Sequence, residues 1–297
     1  MYHIPVMLTQ CIDALQIQPG GIYVDATFGG GGHSRAILNK LDKNGKLFAF
    51  DVDPDAKRNE IKDERFHLIQ ANYRHLKRFL KIYKVTTVNG ILADFGISSY
   101  QIDEASRGFS TRFEGELDMR MNPTQGISAK DVINTYSADQ LNHIFWRYGE
   151  IENARSLTKR ILEFREQRPI ETTMQLAEIA KPLAKGTAAK YLSQVFQAIR
   201  IEVNDELNAI KEFLMQSEDL LEKNGRLVIM SYHSLEDRPV KNFMKHGVFE
   251  GEAEKDIYGN IDHHLKVITK KPLEADENEI AQNPRSRSAK LRVAEKI

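Results

Sequence analysis

The tightest constraint on how this chain can fold is a run of four glycines at 29–32. The apolar stretch 22–26 precedes it, and a helical pattern follows from near Ser34. Glycine loses more backbone freedom on folding than any other residue and brings no side chain to a core. Four in a row suit a place where backbone turns sharply and lies close to another group. A strand, a glycine loop and a helix start, in that order, make a cradle for a nucleotide-like ligand.

The same rhythm runs along the first hundred residues. Leu8, Cys11, Ile12 and Leu15 recur at helical spacing, and Pro19-Gly20-Gly21 ends that helix. Residues 46–50 predict a second strand, running out at Asp51-Val52-Asp53-Pro54; 66–70 predict a third, followed by Ala71-Asn72-Tyr73; 90–94 predict a fourth. Later, 226–231 predict a fifth strand that delivers Tyr232-His233-Ser234-Leu235-Glu236, and 263–269 and 290–294 predict antiparallel additions. Strands alternating with helical segments give an α/β class with a doubly wound parallel sheet. Ligands of such sheets bind beyond the carboxyl ends of the strands. The glycine loop, Asp51 or Asp53, and Asp94 all fall there.

The ligand class follows from what is missing. A dinucleotide site calls for G-x-G-x-x-G, and the run offers Ser34 or Arg35 where the third glycine belongs. G-x-x-x-x-G-K-[ST] is absent, which excludes a P-loop. S-adenosylmethionine has no phosphate to hold; it needs close backbone approach, an acid for the ribose and a polar pocket for adenine. These residues match that need better than they match a nicotinamide dinucleotide.

Composition narrows the class without choosing a function. At 297 residues the chain has room for about two domains, and its 42 basic and 42 acidic residues cancel, so bulk charge does not call for nucleic acid. One cysteine, Cys11, excludes an internal disulfide framework and fits a reducing compartment. Without a signal-like N-terminus or an apolar run near the ~20 residues of a membrane span, a cytoplasmic protein with no membrane contact is expected. His263-His264 lacks partners at ligand spacing, so no metal is expected.

From Asp94 onward the chain becomes dense in motifs. Asp94-Phe95-Gly96-Ile97-Ser98-Ser99-Tyr100-Gln101 is followed by Arg107-Gly108-Phe109-Ser110 and Leu117-Asp118-Met119-Arg120-Met121. To these add His3-x-Pro5-Val6, the 25–34 glycine region, Tyr148-Gly149-Glu150, the 196–207 stretch, His233-Ser234-Leu235-Glu236-Asp237-Arg238 and Asn283-Pro284-Arg285-x-Arg287-Ser288. The series, in this order and over nearly the whole chain, resembles the RsmH (MraW) family. Those are bacterial enzymes that use S-adenosylmethionine to methylate N4 of a cytidine in the 16S rRNA decoding region of the small ribosomal subunit. The resemblance implies a class I (Rossmann-like) methyltransferase sheet and a cofactor site at Gly31, Gly32, His33, Asp51, Tyr73, Asp94 and Gln101. Tyr100 stands where that family usually has proline, and Tyr232 where it has phenylalanine.

Strand signals fade between about 104 and 200. Ser137-x-x-Gln140 and Thr172-x-x-Gln175 read as capping boxes. The expected organisation is a methyltransferase domain from 1–103 and 201–297, with 104–200 inserted as an all-helical domain for RNA recognition. Arg155, Lys159, Arg160, Arg165 and Arg168 offer a basic helix face, and Arg285, Arg287, Lys290 and Arg292 a basic tail, as phosphate contacts. Leu192 to Leu214 keeps helical steps throughout, predicting one long helix that allows a bend.

The expected reaction is methyl transfer to a cytosine amino group. Its proton acceptor is sought among Asp94, Ser98, Ser99, Asp118, His233 and Glu236, because the [DNS]-P-P-[YF] motif of many amino methyltransferases is absent. Phe109 is a candidate to stack on a splayed-out base. Two alternatives stand beside it: a nicotinamide-dependent oxidoreductase, and a non-catalytic rRNA-binding assembly factor. Oligomeric state is not legible, and a homodimer is compatible with the sequence.

Overall fold

The computed structural model describes residues 5–251, 253 and 263–297; His3 of the opening motif lies outside the described residues. The chain forms two compact units: Met1–Gly96 with Leu207–Ile297, and Ile97–Glu206. The sequence-based expectation put these junctions at 103/104 and 200/201.

The sheet unit opens with α1 (Leu8–Leu15), β1 (Ile22–Asp25), α2 (Gly32–Leu38), β2 (Lys46–Asp51), β3 (Phe66–Gln70), α3 (Leu76–Ile82) and β4 (Val88–Asp94). The helical unit contributes α4 (Ser99–Asp103), α5 (Ala129–Thr135), α6 (Ala138–Arg147), α7 (Ala154–Arg165), α8 (Thr173–Ala180) and α9 (Ala188–Asn204). The chain then returns through α10 (Glu206–Leu220), β5 (Leu221–Ser231), α11 (Ser234–His246), β6 (Leu265–Val267), α12 (Glu277–Gln282) and β7 (Lys290–Lys296).

Among the described residues the strands make one seven-stranded sheet in the order β3-β2-β1-β4-β5-β7-β6. β1 to β5 are all parallel, and β7 runs antiparallel to both β5 and β6. The order reverses between β1 and β4, which makes their carboxyl ends the crevice where such sheets bind ligands. Both faces are covered. Val24, Phe48, Phe50, Ile91 and Ile229 pack with Leu76, Leu80, Phe213 and Val240 on one side. Tyr23, Leu47, Leu92 and Val228 pack with Cys11, Leu15 and Ile37 on the other. Burial on both faces explains why these strands read as continuous apolar runs rather than alternating ones.

The helical unit has its own core, from Leu117 and Val132 through Leu141, Phe145, Leu157 and Leu176 to Val195 and Ile199. Its helix starts follow local rules. Ser128, Ser137 and Thr172 each accept a hydrogen bond from the backbone three residues on, and Asp131, Gln140 and Gln175 return one.

Three expectations need correction. α2 begins at Gly32, two residues before Ser34, because Gly31 takes φ 74° and caps the helix itself. The long helix is two: Asp205, at φ 50°, closes α9 before α10 starts. Helical periodicity survives a single left-handed residue, so spacing alone could not show the break. β5 starts at Leu221 rather than Arg226, with Asn224-Gly225 absorbed in a register shift against β4 between Val88 and Gly90.

Candidate functional site

The glycine loop is shaped by what lies against it. A side chain on Gly32 would place Cβ 2.1 Å from Cγ of Pro5, and one on Gly31 would meet the Phe28 ring and Arg35. Gly30 has open space around it. The loop is also tied down: Arg35 Nη1 donates to the Gly30 carbonyl at 2.8 Å and Asn59 Nδ2 to that of Gly29 at 3.0 Å. Gly29 N–H donates to Asp51 Oδ2 at 2.7 Å, so the loop and the end of β2 form one piece.

Asp51 also accepts from the Asp53 amide at 2.8 Å. Burial raises its pKa to about 6 against the pull of those two amides, with the charges of Asp53 and Asp25 adding to the rise. Beside it is a cavity of about 110 Å³, with Asp53 and Gln70 as polar walls and Ala56 and Leu68 as apolar ones. That is well below the ~300–1,000 Å³ of a pocket enclosing a whole drug-sized ligand, so it suits one end of a longer molecule. Of the two acids the sequence left open, Asp51 faces the loop; Asp53 is buried and caps the following turn through the Asp55 amide.

At the reversal of strand order, β1 ends in Asp25 and β4 in Asp94. Asp25 is 1% exposed and accepts from Ser34 Oγ at 2.6 Å and the Thr27 amide at 3.1 Å. Burial raises its pKa, with His33 opposing. Thr27 Oγ1 in turn accepts the Asp94 amide at 2.7 Å, tying the two strand ends together. His33, buried, places Nε2 3.2 Å from the Val6 carbonyl; a carbonyl only accepts, so Nε2 carries the hydrogen.

Asp94 accepts from the Tyr232 hydroxyl at 2.7 Å. Burial raises the Asp94 pKa to about 6, helped by Asp25 and Glu236 and opposed by His33 and the Tyr232 hydrogen bond. Next along, His233 Nε2 lies 3.0 Å from Glu236 Oε1, while Glu236 Oε2 accepts the Tyr232 amide at 2.8 Å. Glu236 is 1% exposed, so it serves as a fixed anchor for the imidazole. Tyr73 follows β3 and packs its ring 5.7 Å from Phe95 and 5.3 Å from Phe213.

The remaining predicted residues belong to the helical unit. Ser98 caps α4 by accepting the Gln101 amide, and Gln101 Oε1 accepts the Ser98 amide at 3.0 Å; Ser99 is the first residue of that helix. Gln101 is buried. Asp118 is not left as an open acceptor, because Arg120 holds both its oxygens, at 2.6 Å through Nη2 and 3.1 Å through Nε. Phe109 is buried in the helical core with the Arg107 guanidinium 6.0 Å from its ring, so it cannot offer a free face to a base.

The basic candidates divide. Arg292 is 8% exposed and pairs with Asp237 at 2.6 and 2.9 Å inside the sheet unit, so it is no phosphate contact. A charge in β7 had to be paired once that strand lay inside the sheet, a position the sequence did not reveal. Arg165 donates to the Ile133 carbonyl at 2.7 Å, and Arg168 lies 5.0 Å from the Phe164 ring. Arg155, Lys159, Arg160 and Arg287 remain exposed.

Two contributors escaped the sequence reading. Asp25 occupies the same strand-end position as Asp51 and Asp94, and that signal could have found it. In the sequence Tyr232 is only a departure from the resembled family's phenylalanine; its hydroxyl contact is set by the fold. Among the described residues no helix is long and apolar enough to cross a membrane.

A sequence model described as the MraW methylase family matches residues 1–297. The chain is 54% identical over 297 residues to the ribosomal RNA small subunit methyltransferase H of Christiangramia forsetii, covering 100% of this chain and 98% of that one. It is 53% identical over 297 residues to the protein of the same name from Flavobacterium johnsoniae, again covering 100% and 98%. These matches favour the methyltransferase reading over the oxidoreductase and non-catalytic alternatives.

Proposed function

We propose, from the premise that this chain belongs to the MraW methylase family, that it transfers a methyl group from S-adenosylmethionine to N4 of a cytidine in 16S rRNA of the small ribosomal subunit. One observation carries the reading. The glycine loop, Asp25, Asp51, Asp94 and His233 all stand at the carboxyl ends of parallel strands, around the reversal between β1 and β4. The two relatives described above carry rRNA small subunit methyltransferase as their name, which supports the RNA substrate.

S-adenosylmethionine supplies an electrophilic methyl on a sulfonium. Asp51, locked to the Gly29 amide, is the acceptor for ribose hydroxyls. The adjoining cavity takes the adenosine end. Gly31 and Gly32 lack side chains where Phe28, Arg35 and Pro5 pack, and so keep the loop's backbone in its place at the strand ends. His33 and Tyr73 complete the proposed cofactor set of the sheet unit, and Asp94 would accept from the ammonium of the methionyl end.

The cytosine amino lone pair is delocalised into the ring, so alignment with the methyl and removal of a proton both matter. As the N–C bond forms and the S–C bond breaks, N4 carries a surplus proton. His233 is the proposed acceptor: its imidazole stands at the end of β5 with Nε2 3.0 Å from Glu236 Oε1, and a neutral imidazole has one nitrogen able to take a proton. The test uses small subunits from a strain lacking this mark and labelled S-adenosylmethionine. Label should appear at N4 of one cytidine, and His233→Asn should slow transfer about 10²–10⁴-fold with cofactor affinity retained. Absence of label with the unaltered protein would sink the proposal.

A further inference from the structure

The residue after β5 is tyrosine where the resembled family carries phenylalanine, and its hydroxyl is the one feature separating the two side chains. That hydroxyl lies 2.7 Å from Asp94 Oδ1. Its side chain packs against the apolar cluster that includes Cys11, Met230 and Leu291, and the Tyr232 amide is fixed on Glu236 Oε2 at 2.8 Å. Packing and the backbone bond thus place the hydroxyl beside Asp94.

We infer that Tyr232 is a positioning residue of the cofactor site, whose hydroxyl holds Asp94 as an oriented carboxylate aimed at the cationic methionyl end of the cofactor. This rests on the assignment of Asp94 to the cofactor given above. A neutral phenol at this distance can only donate to a carboxylate, since an ionised carboxylate has no proton to give. The donated bond favours the charged form of Asp94. It also occupies one lone pair of Oδ1 and leaves Oδ2 to point at the ligand.

The surroundings make that help consequential. Asp25 from β1 and Glu236 from α11 are acids facing Asp94, and both disfavour its charge, as does burial; His33 from α2 favours it. Cys11 from α1 lies in the same field, its thiol pushed well up by burial and by Asp94. Tyr232 keeps its own proton, because burial, Asp94 and Glu236 all raise its pKa. The phenol therefore remains a donor across the working pH range. With Asp94 titrating at about 6, its charge state is still variable just below neutrality.

Tyr232→Phe removes only the hydroxyl. Losing one hydrogen bond to the charged form should raise the Asp94 pKa by about one unit. In the cofactor-free protein, carboxyl-carbon NMR of Asp94 should show its midpoint moving from about 6 to about 7. Calorimetry with S-adenosylmethionine should then give a ratio of wild-type to variant affinity that depends on pH. For a one-unit shift the ratio is about fivefold at pH 6, about twofold at pH 7 and near parity at pH 8. The ligand's own titration cancels in that ratio, and a merely structural loss would be flat with pH. Asp94→Asn separates the two layers. If it leaves affinity unchanged, Asp94 does not face the cofactor and the underlying assignment fails. If it weakens binding while Tyr232→Phe moves neither the Asp94 midpoint nor the pH-dependent ratio, the role of Tyr232 is overturned.

Discussion

The two units both carry dense motifs, and the motifs do opposite work. In the sheet unit, Asp25, Asp51 and Asp94 are brought to one edge of the sheet and held there against the penalty of burial. In the helical unit the motif residues satisfy one another. Asn204 Oδ1 accepts the Met121 amide at 2.7 Å, while its Nδ2 donates to the carbonyls of Met119 and Arg200. Arg107 donates to the carbonyls of Arg120 and Met121, Gln197 to that of Tyr148, and Arg200 pairs with Glu206 at 2.8 and 2.9 Å. The Arg-Gly-Phe-Ser, Leu-Asp-Met-Arg-Met and 196–207 stretches are thus parts of one clasp. A recurring motif can mark a ligand or a lock, and only the partners of its polar atoms tell which.

That contrast can be broken most forcefully at Asn204. Replacing it with alanine leaves several buried backbone groups without their partner, at about 1–3 kcal/mol each. A total loss of about 3 kcal/mol in denaturant unfolding is expected, with cofactor affinity by calorimetry nearly unchanged. A large fall in affinity with intact stability would reverse the assignment of lock and site.

Gly32→Ala probes the other side. The added Cβ meets the Pro5 ring, and overpacking of this kind costs about 1–3 kcal/mol. Here affinity should fall together with thermal stability, whereas Gly30→Ala, with nothing within 4 Å, should change stability little. Equal behaviour of the two variants would mean the loop is not shaped by close approach.

Asp94→Asn should move stability the other way. Folded Asp94 keeps its proton to about pH 6, whereas an aspartate free in water loses it near 3.8. Over that window the folded state binds more protons than the unfolded chain, so this group lowers stability as pH rises from about 4 to 6. The variant should match wild type below pH 4 and be more stable above pH 7, by on the order of 2 kcal/mol once partial solvent access is allowed for. Thermal melts across pH check it. The smallest effect belongs to Ser137→Ala, which removes a cap from α6 and should cost about 1 kcal/mol with no change in binding.

Much of the sheet unit was legible because its local and global signals agree. The runs at 46–50 and 226–231 are largely apolar in strands buried on both faces, and each runs into a turn or a polar strand end that the sequence displays. The capping boxes at Ser137 and Thr172 were equally plain, being rules of three residues. What stayed hidden was set by partners distant along the chain. Arg292 looked like a free cation until Asp237, 55 residues away, was placed beside it. Asp118 and Phe109 looked chemical because charge and aromaticity in a loop suggest a site, yet each is occupied within its own unit. The break at Asp205 left no trace in the periodicity on either side.

The place of β7 also sets a timetable for synthesis. Residues 290–296 lie between β5 and β6, and among the described residues β6 pairs with no other strand. Until they emerge, one edge of β5 stays unpaired and β6 has nothing to join. The 97–206 unit, by contrast, has all its own contacts in hand long before. At about 5–20 residues per second, the growing chain spends on the order of ten seconds with an open strand edge. Such edges are templates for mispairing, so this is the interval in which a nascent chain of this fold has most need of a chaperone.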